Sequence, residues 1–407
     1  MNAVAPSPTA TPADPSATDE PPAQPRFAVG DDRLTLLDTG PRRFAAMLDL
    51  IGNAKRSLRL LYYIYADDAS GRRINEALIA AAGRGVTVSV VVDGFGCEVP
   101  SEFFSPLREA GASVCRFEPR WGRRFLLRNH QKLALADAED ADADGVRARI
   151  IIGGFNVADD YFETEADEAW RDLGLLVEGP TAARLRAYFD ALDKWVNDPR
   201  PLLRDLNRAL KRWSETEGRT RWLIGGPTRR LSPWARAVRA DMRHARRIDM
   251  VAGYFTPSPT MLRHLDRAGR RGREVRIVTA ATSDNTATVA AARFTYAGLL
   301  RKGVRIFEYQ RAKLHTKLYA IDDTVHLGSA NFDMRSLFIN LELMLRIDDP
   351  AFARHVRGYI DGEIAASEAI TVESHRARTG PITRVRQFLA YLMVGVVDPG
   401  VSRGINL

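Results

Sequence analysis

Two short segments of the sequence each place a histidine two residues before a lysine. The first, "RNHQKLALAD", contains His130 and Lys132, and the second, "LHTKLYAID", contains His315 and Lys317. Alternate side chains of an extended strand face the same way, so each histidine is expected to point to the same side as its lysine. A histidine with a pKa of about 6.5 can act as a nucleophile when neutral and as an acid when protonated.

A glycine turn and then an acid follow each segment. The turn "GGFN" carries Asn156, and the turn "GSAN" carries Ser329 and Asn331. Asp172 lies in the apolar strand "WRDLGLLVEG", and Glu342 lies in "NLELMLRID". Glycines let the backbone approach a ligand closely, and the asparagine amides and the lysines can hold phosphate oxygens. Each acid is a candidate to fix the tautomer of a histidine through its second ring nitrogen.

The two sets together predict a site for in-line attack on phosphorus, which needs a nucleophile on one side and an acid on the other. A repeat that preserved only the fold would not need to keep histidine, lysine, asparagine and a carboxylate in both copies. The seven histidines form no HxH or HExxH cluster. We therefore expect neither a metal nor another cofactor.

The aspartates that end the two segments, Asp137 and Asp322, are expected to lie far from the histidines. At about 3.3 Å per residue of strand, the separation is roughly 23 Å. Geometry therefore favours a structural role for both.

An internal repeat supplies the elements that must position these residues. "AKRSLRLLYYIYADD" from Ala54 matches "ARRIDMVAGYFTPSP" from Ala245, and both copies continue through helices and strands to the histidine segment. Strands that alternate with helices predict an α/β lobe, used twice and related by a pseudo-two-fold axis. Each lobe is expected to hold a mixed sheet flanked by helices. The predicted divisions are a disordered Pro/Ala-rich tail (1–26), a first lobe (27–199), a helical linker (200–220), a second lobe (221–374) and a basic and apolar C-terminal segment (375–407). The insertion "AEDADADGVRAR" predicts an acidic surface hairpin.

Composition indicates a globular protein with anionic partners. The chain has 407 residues, 45% of them hydrophobic, and a formal charge of +8. No stretch reaches the roughly 20 apolar residues of a membrane span, so we expect peripheral association at most. "RARTGPITRVRQFLAYLMVGVV" is consistent with an interfacial helix or with a core helix that closes the second lobe. The loop "EPRWGRRFLLRNH" is consistent with a solvated basic face or with a lip for anionic headgroups.

These motifs resemble the phospholipase D superfamily, whose signature is HxKx4D followed by G-S/G-x-N in two copies. Within it the sequence is most similar to bacterial cardiolipin synthases of the type without amino-terminal transmembrane helices. The resemblance implies phosphatidyl transfer through a phosphohistidine, with His130 as the nucleophile and His315 as the acid. It also implies that Glu342 orients His130 and that Asp172 orients His315. The signature counts Asp137 and Asp322 with the catalytic residues.

One position departs from the superfamily pattern. Gly154 stands where the commoner residue is serine, as at Ser329. The first lobe therefore lacks a hydroxyl there, and with it any phosphate contact from that position.

The resemblance implies phospholipid substrates, an anionic membrane surface as a peripheral partner, and a monomer with an internal pseudo-dimer. It places the protein in the cytoplasm at the inner face of the cell membrane and disfavours nucleic acid as a partner. Alternatives are a phospholipase D that passes the phosphatidyl group to water, a nuclease or phosphodiesterase of the same superfamily, and a non-catalytic binding module.

Overall fold

The protein is described from a computed structural model. The described residues are 24–118, 127–139, 147–228 and 231–397. Most of the predicted tail, most of the basic loop before His130 and the centre of the acidic insertion lie outside these ranges, although Arg26, the last residue of that tail, begins β1.

The first lobe is built on one eight-stranded mixed sheet. Its strands are β1 (Arg26–Val29), β2 (Asp32–Leu37), β3 (Ser57–Tyr62), β4 (Thr87–Asp93), β5 (Ser113–Phe117), β6 (Leu133–Ala136), β7 (Arg149–Gly153) and β8 (Gly174–Glu178). Its helices are α1 (Gly40–Asn53), α2 (Ala69–Gly83), α3 (Ser105–Glu109), α4 (Asp159–Phe162), α5 (Pro180–Arg184) and α6 (Arg186–Asn197). Two 3-10 turns cover Ser101–Phe104 and Glu165–Asp167. The strand order is β1-β2-β8-β7-β6-β3-β4-β5, with β3, β4 and β5 parallel.

The second lobe repeats this plan. Its strands are β9 (Thr220–Gly225), β10 (Arg247–Ala252), β11 (Phe255–Thr256), β12 (Glu274–Ala280), β13 (Arg305–Tyr309), β14 (Lys317–Ile321), β15 (Thr324–Gly328), β16 (Phe332–Asp333), β17 (Glu342–Asp348) and β18 (Ser367–Ile370). The remaining helices are α7 (Leu203–Arg212), α8 (Pro233–His244), α9 (Pro259–Arg270), α10 (Thr286–Leu300), α11 (Met334–Phe338), α12 (Pro350–Ala365), α13 (Val372–Arg378) and α14 (Pro381–Leu392), the last continued by a π turn at Met393–Val397.

Sheet topology confirms the predicted fold class. The large sheet of the second lobe has the order β18-β13-β12-β10-β14-β15-β17-β9, and β11 pairs separately with β16. Six consecutive strands of each sheet correspond in order: β8-β7-β6-β3-β4-β5 in one and β17-β15-β14-β10-β12-β13 in the other. Helices join the parallel strands, as such connections require. The division into domains stays a prediction, although α7 does lie in the predicted linker.

A shared core holds the two lobes together. One continuous cluster of buried apolar side chains includes Leu133 and Leu135 of β6 together with Leu318 of β14 and Leu343 of β17. Burial of this apolar surface favours one fixed arrangement of the lobes. Among the described residues, no helix combines the length and apolar character that crossing a bilayer requires.

Candidate active site

Backbone pairing between the lobes positions the first histidine segment. Asn129 forms a parallel bridge with Leu341, and the amide of His130 donates to the Leu341 carbonyl over 2.9 Å. Strand β6 begins only at Leu133, so the histidine and the lysine lie in the extended lead-in to the strand. Lys132 Nζ donates to the His130 carbonyl over 2.7 Å. The chain before β6 is therefore held by the other lobe.

The second histidine segment is held in the same way. Leu314 pairs with Arg171 of the first lobe, and the His315 amide donates to the Arg171 carbonyl over 2.8 Å. Lys317 Nζ donates to the His315 carbonyl. The two segments thus cross the lobe interface reciprocally, as a pseudo-two-fold axis requires.

The pairing of each histidine segment with the opposite lobe brings its histidine into contact with the acid of that lobe. His130 Nδ1 lies 3.1 Å from the Glu342 carboxylate, and His315 Nδ1 lies 2.6 Å from Asp172 Oδ2. Glu342 also accepts hydrogen bonds from Ser329 Oγ over 2.5 Å and from Ser336 Oγ over 2.7 Å. A carboxylate that accepts from Nδ1–H leaves the lone pair of a neutral ring on Nε2.

Burial makes both histidines weak bases. Burial and the charge of Lys132 lower the pKa of His130 to about 4, against the opposing effect of Glu342. Burial and the charge of Lys317 likewise lower the pKa of His315 to about 4, against the opposing effect of Asp172. Both rings are consequently neutral near pH 7 in the unliganded site.

The carboxylates and lysines carry the charge of the site. Burial alone would raise the pKa of Asp172, but His315 and Lys317 outweigh it, and the pKa falls below its usual value. The pKa of Glu342 is lowered in the same way, although burial again opposes the shift. Burial lowers the pKa of Lys317 to about 8. The two carboxylates therefore stay ionised beside neutral histidines.

The asparagines of the glycine turns are buried in the site region. Asn156 Oδ1 accepts from the Ile64 amide over 3.1 Å, which leaves its amide nitrogen to donate elsewhere. Asn331 Oδ1 is buried and has no hydrogen-bond partner among the described residues. An unsatisfied buried amide is costly unless a ligand or water completes it.

Ser329 and Gly154 occupy equivalent positions in the two lobes but have different structural roles. The Ser329 hydroxyl donates to Glu342, and the Leu343 amide donates to its oxygen over 3.0 Å. Phosphate binding by Ser329 therefore stays a prediction. At Gly154 a Cβ would come within 2.5 Å of Asp172 Oδ1. The missing side chain makes room for the acid.

The aspartates of the signature lie at the far ends of their strands. Asp137 accepts from the amides of Lys55, Arg56 and Ser57 over 2.7 to 3.2 Å, and Asp322 accepts from two amides at the corresponding turn of lobe two. Both have a positive φ, 54° and 47°. These contacts favour a structural role, because the carboxylates bind backbone N–H groups at these turns, and a catalytic role for either aspartate stays a prediction.

Sequence reasoning missed the aromatic side chains beside the histidines. The ring of Tyr63 lies 5.1 Å from that of His130, and the ring of Tyr254 lies 6.0 Å from that of His315. The repeat alignment that begins at Ala54 and Ala245 places these two tyrosines in register, so the signal was present. Two further rings lie beside the second histidine: Tyr161 at 5.4 Å and Trp170 at 5.3 Å.

Asp93 is a second residue that the motifs did not reveal. Its Oδ2 accepts from the Asn129 amide over 2.7 Å, and its Oδ1 accepts from the amides of Phe95 and Gly96. It ends strand β4 and fixes the chain immediately before His130. An aspartate at the carboxyl end of a parallel strand was the available signal.

The chain is similar to proteins of one known family. A family model described as "Cardiolipin synthase, PLD-like domain" matches residues 47–193 and 239–363. Cardiolipin synthase 1 of Bacillus cereus is 29% identical over 366 residues, which cover 86% of this chain and 70% of that protein. Cardiolipin synthase A of Pseudomonas syringae is 29% identical over 360 residues, with 86% and 72% covered.

Solved structures share the fold. The phosphatidylserine synthase of Haemophilus influenzae has a TM-score of 0.68 at 12% identity and covers 93% of this chain and 97% of its own. The polyphosphate kinase of Porphyromonas gingivalis has a TM-score of 0.58 at 17% identity, with 88% and 52% covered. At such identities the likeness concerns the fold alone. Because the family model matches both lobes, the chain belongs to the family of phospholipase D-like cardiolipin synthase domains.

Proposed function

We propose that this chain is a phosphatidyltransferase of the cardiolipin synthase type. It would move a phosphatidyl group from one phospholipid to the headgroup alcohol of a second, of the phosphatidylglycerol kind. The observation that carries the proposal is the pair of cross-lobe histidine–carboxylate contacts, His130 with Glu342 and His315 with Asp172. The names of the relatives support the substrate class.

In the first step, Nε2 of neutral His130 attacks the phosphorus of the donor. A P–N bond forms, the P–O bond to the leaving alcohol breaks, and that oxygen takes a proton from Nε2 of His315. The negative charge of the bound phosphodiester counteracts the lysines, which lower the pKa of His315. Substrate binding therefore favours the protonated form of His315. Lys132 and Lys317 offset the charge on the non-bridging oxygens in the transition state.

In the second step the acceptor alcohol gives its proton to His315, and its oxygen attacks the phosphorus. The P–N bond breaks and His130 is released neutral. Asn156 and Asn331 would donate to the non-bridging oxygens in both steps. Atoms and protons balance over the cycle without a metal or a further cofactor.

Hydrolysis by water is the runner-up, because it differs only in the acceptor. The burial of the histidines, 9% and 5% exposed, and the aromatic rings around them restrict water and favour a lipid alcohol. Since both substrates are phospholipids, we propose that the protein works peripherally on an anionic membrane, at the inner face of the cell membrane.

Lipid mass spectrometry of a cardiolipin-deficient bacterium that expresses the chain tests the proposal. Wild type should restore cardiolipin, and His130→Ala and His315→Ala should not. Release of phosphatidic acid without cardiolipin would contradict transfer to a second lipid and favour hydrolysis by water. His244→Ala, at an exposed histidine that ends α8, serves as the matched control.

A substrate with a good leaving group separates the two histidine roles. A nitrophenyl phosphodiester needs no proton on its leaving oxygen, so His315→Ala should still release nitrophenol in its first turnover while His130→Ala should not. The reverse result would exchange the two roles. Equal and complete loss in both variants would contradict a division into nucleophile and acid.

A further inference from the structure

Helix α14 presents its apolar side to solvent. Ile382 is 79% exposed, Val385 is 58% exposed and Leu389 is 52% exposed. With Leu392 and Met393 they follow a spacing of three and four residues, so they form one stripe along the helix. Six of the seven exposed large apolar side chains among the described residues lie between positions 382 and 393. A surface helix of a water-soluble domain normally turns such a stripe inward.

The inward side of α14 carries one buried polar side chain and two aromatic rings. Gln387 is buried, and the Tyr391 hydroxyl donates to the Pro257 carbonyl over 3.1 Å. The rings of Phe388 and Tyr391 pack on Phe294 of α10 at 5.4 and 5.2 Å. The sequence prediction of a core helix that closes the second lobe is therefore wrong, since these contacts hold the helix with its apolar stripe outward.

Three arginines line a cavity beside α14. A cavity of about 330 Å³ between α10, α13 and α14 is lined by Arg301, Arg376 and Arg384, with Phe294 and Ala297 on its apolar wall. Arg376 and Arg384 are exposed and make no ion pair within the part of the chain that the structure describes. Arginines beside exposed apolar side chains match the chemistry of an anionic lipid headgroup above its acyl chains.

The same helix lies close to the candidate active site. Pro257, which accepts the hydrogen bond of Tyr391, is three residues beyond Tyr254, the ring that contacts His315. The Tyr254 hydroxyl donates over 2.6 Å to Asp284, which immediately precedes the N-cap of α10. Helix α14 therefore packs on the elements that line the His315 side of the site.

We propose that α14 is an interfacial helix that docks this chain on an anionic bilayer. The stripe enters the acyl boundary, and the arginine-lined cavity takes an anionic phospholipid headgroup. The choice of a bilayer as occupant rests on the proposed function, which requires lipid substrates, and on the charge of the cavity. Docking there brings the His315 side of the site to the surface that holds the substrates.

Vesicle co-sedimentation tests the docking. Wild type should bind vesicles of phosphatidylcholine with phosphatidylglycerol more tightly than vesicles of phosphatidylcholine alone. The triple variant Ile382→Ser, Val385→Ser, Leu389→Ser should weaken binding about tenfold or more, because it removes most of the inserted apolar surface. The double variant Arg376→Gln, Arg384→Gln should remove the preference for phosphatidylglycerol. Leu202→Ser, at an exposed leucine outside the helix, should bind as wild type.

Two further readouts separate this proposal from the proposed function. Hydrolysis of bis-nitrophenyl phosphate reports the site chemistry without a membrane, so the triple variant should retain it while losing vesicle binding. Normal vesicle binding without lipid transfer would contradict the proposed function and leave the docking proposal unaffected. Equal binding of wild type and triple variant overturns the docking. A dimeric wild type and a monomeric triple variant in analytical ultracentrifugation would also overturn the docking, because a second copy of the chain would then cover the stripe.

Discussion

Gly154 lies directly against the carboxylate of Asp172, where a Cβ would come within 2.5 Å of Oδ1. At the matching place in the second lobe, Ser329 donates to Glu342 over 2.5 Å. The shorter acid thus accompanies the residue without a side chain, and the longer acid accompanies the hydroxyl. The departure from the superfamily pattern is part of how the site holds Asp172 against its histidine.

Gly154→Ser should therefore reduce activity. The added side chain displaces Asp172 from His315, and misplacement of this kind costs on the order of a hundredfold in rate. Phosphatidyl transfer per folded molecule is the measurement. Gly358→Ser is the control, because a Cβ there meets nothing within 4 Å. Wild-type activity in Gly154→Ser would refute the steric argument.

The two acids should respond differently to removal of their charge. We expect Asp172→Asn and Glu342→Gln each to lower lipid transfer on the order of a hundredfold, because each loses the carboxylate that orients a histidine. With a nitrophenyl phosphodiester, the first-turnover burst of nitrophenol should recover most of its rate in Asp172→Asn and should not in Glu342→Gln, whereas later turnovers still need His315 as the base. Rapid-mixing kinetics of the burst, beside the rate of lipid transfer, measures the split. An identical pattern in the two variants would show that the acids do not serve separate histidines.

Stability should fall as the pH is lowered from about 7 to about 5. The pKa of His130 and of His315 is about 4 in the folded protein, against about 6.5 when unfolded. In this window the unfolded chain binds more protons, so acid favours unfolding by about 2 kcal/mol per histidine. Urea denaturation at the two pH values measures it, and His130→Gln should flatten the dependence. An unchanged slope in that variant would contradict the assignment.

Asp137 should affect folding and leave chemistry intact. Asp137→Asn keeps a side chain that tolerates positive φ but removes the charge from three amide hydrogen bonds, at a cost of about 1 to 3 kcal/mol in the free energy of unfolding. The rate of lipid transfer per folded molecule should equal that of wild type. Asp322→Asn should behave alike in the second lobe. A large fall in rate with normal stability would return these residues to the catalytic set.

The local pattern of the sequence determined the fold class and the residue types of the candidate site. The order of strands and helices, the glycine turns and the two histidine–lysine sets all depend on residues a few positions apart. Even the position of Asp137 at the far end of its strand followed from the sequence. The register of the repeat also contained Tyr63 and Tyr254, although the histidine motif alone did not point to them.

Only the tertiary structure decided which groups meet across the lobes. His130 and Glu342 are separated by 212 positions, and His315 and Asp172 by 143, so packing of the shared core and reciprocal backbone bridges set their distances. The use of the Ser329 hydroxyl by Glu342 depends on the same packing. The apolar pattern of helix α14 is the same whether the stripe faces the core or the solvent. Its orientation, with the stripe outward, is decided by Gln387, Tyr391 and the ring of Phe294.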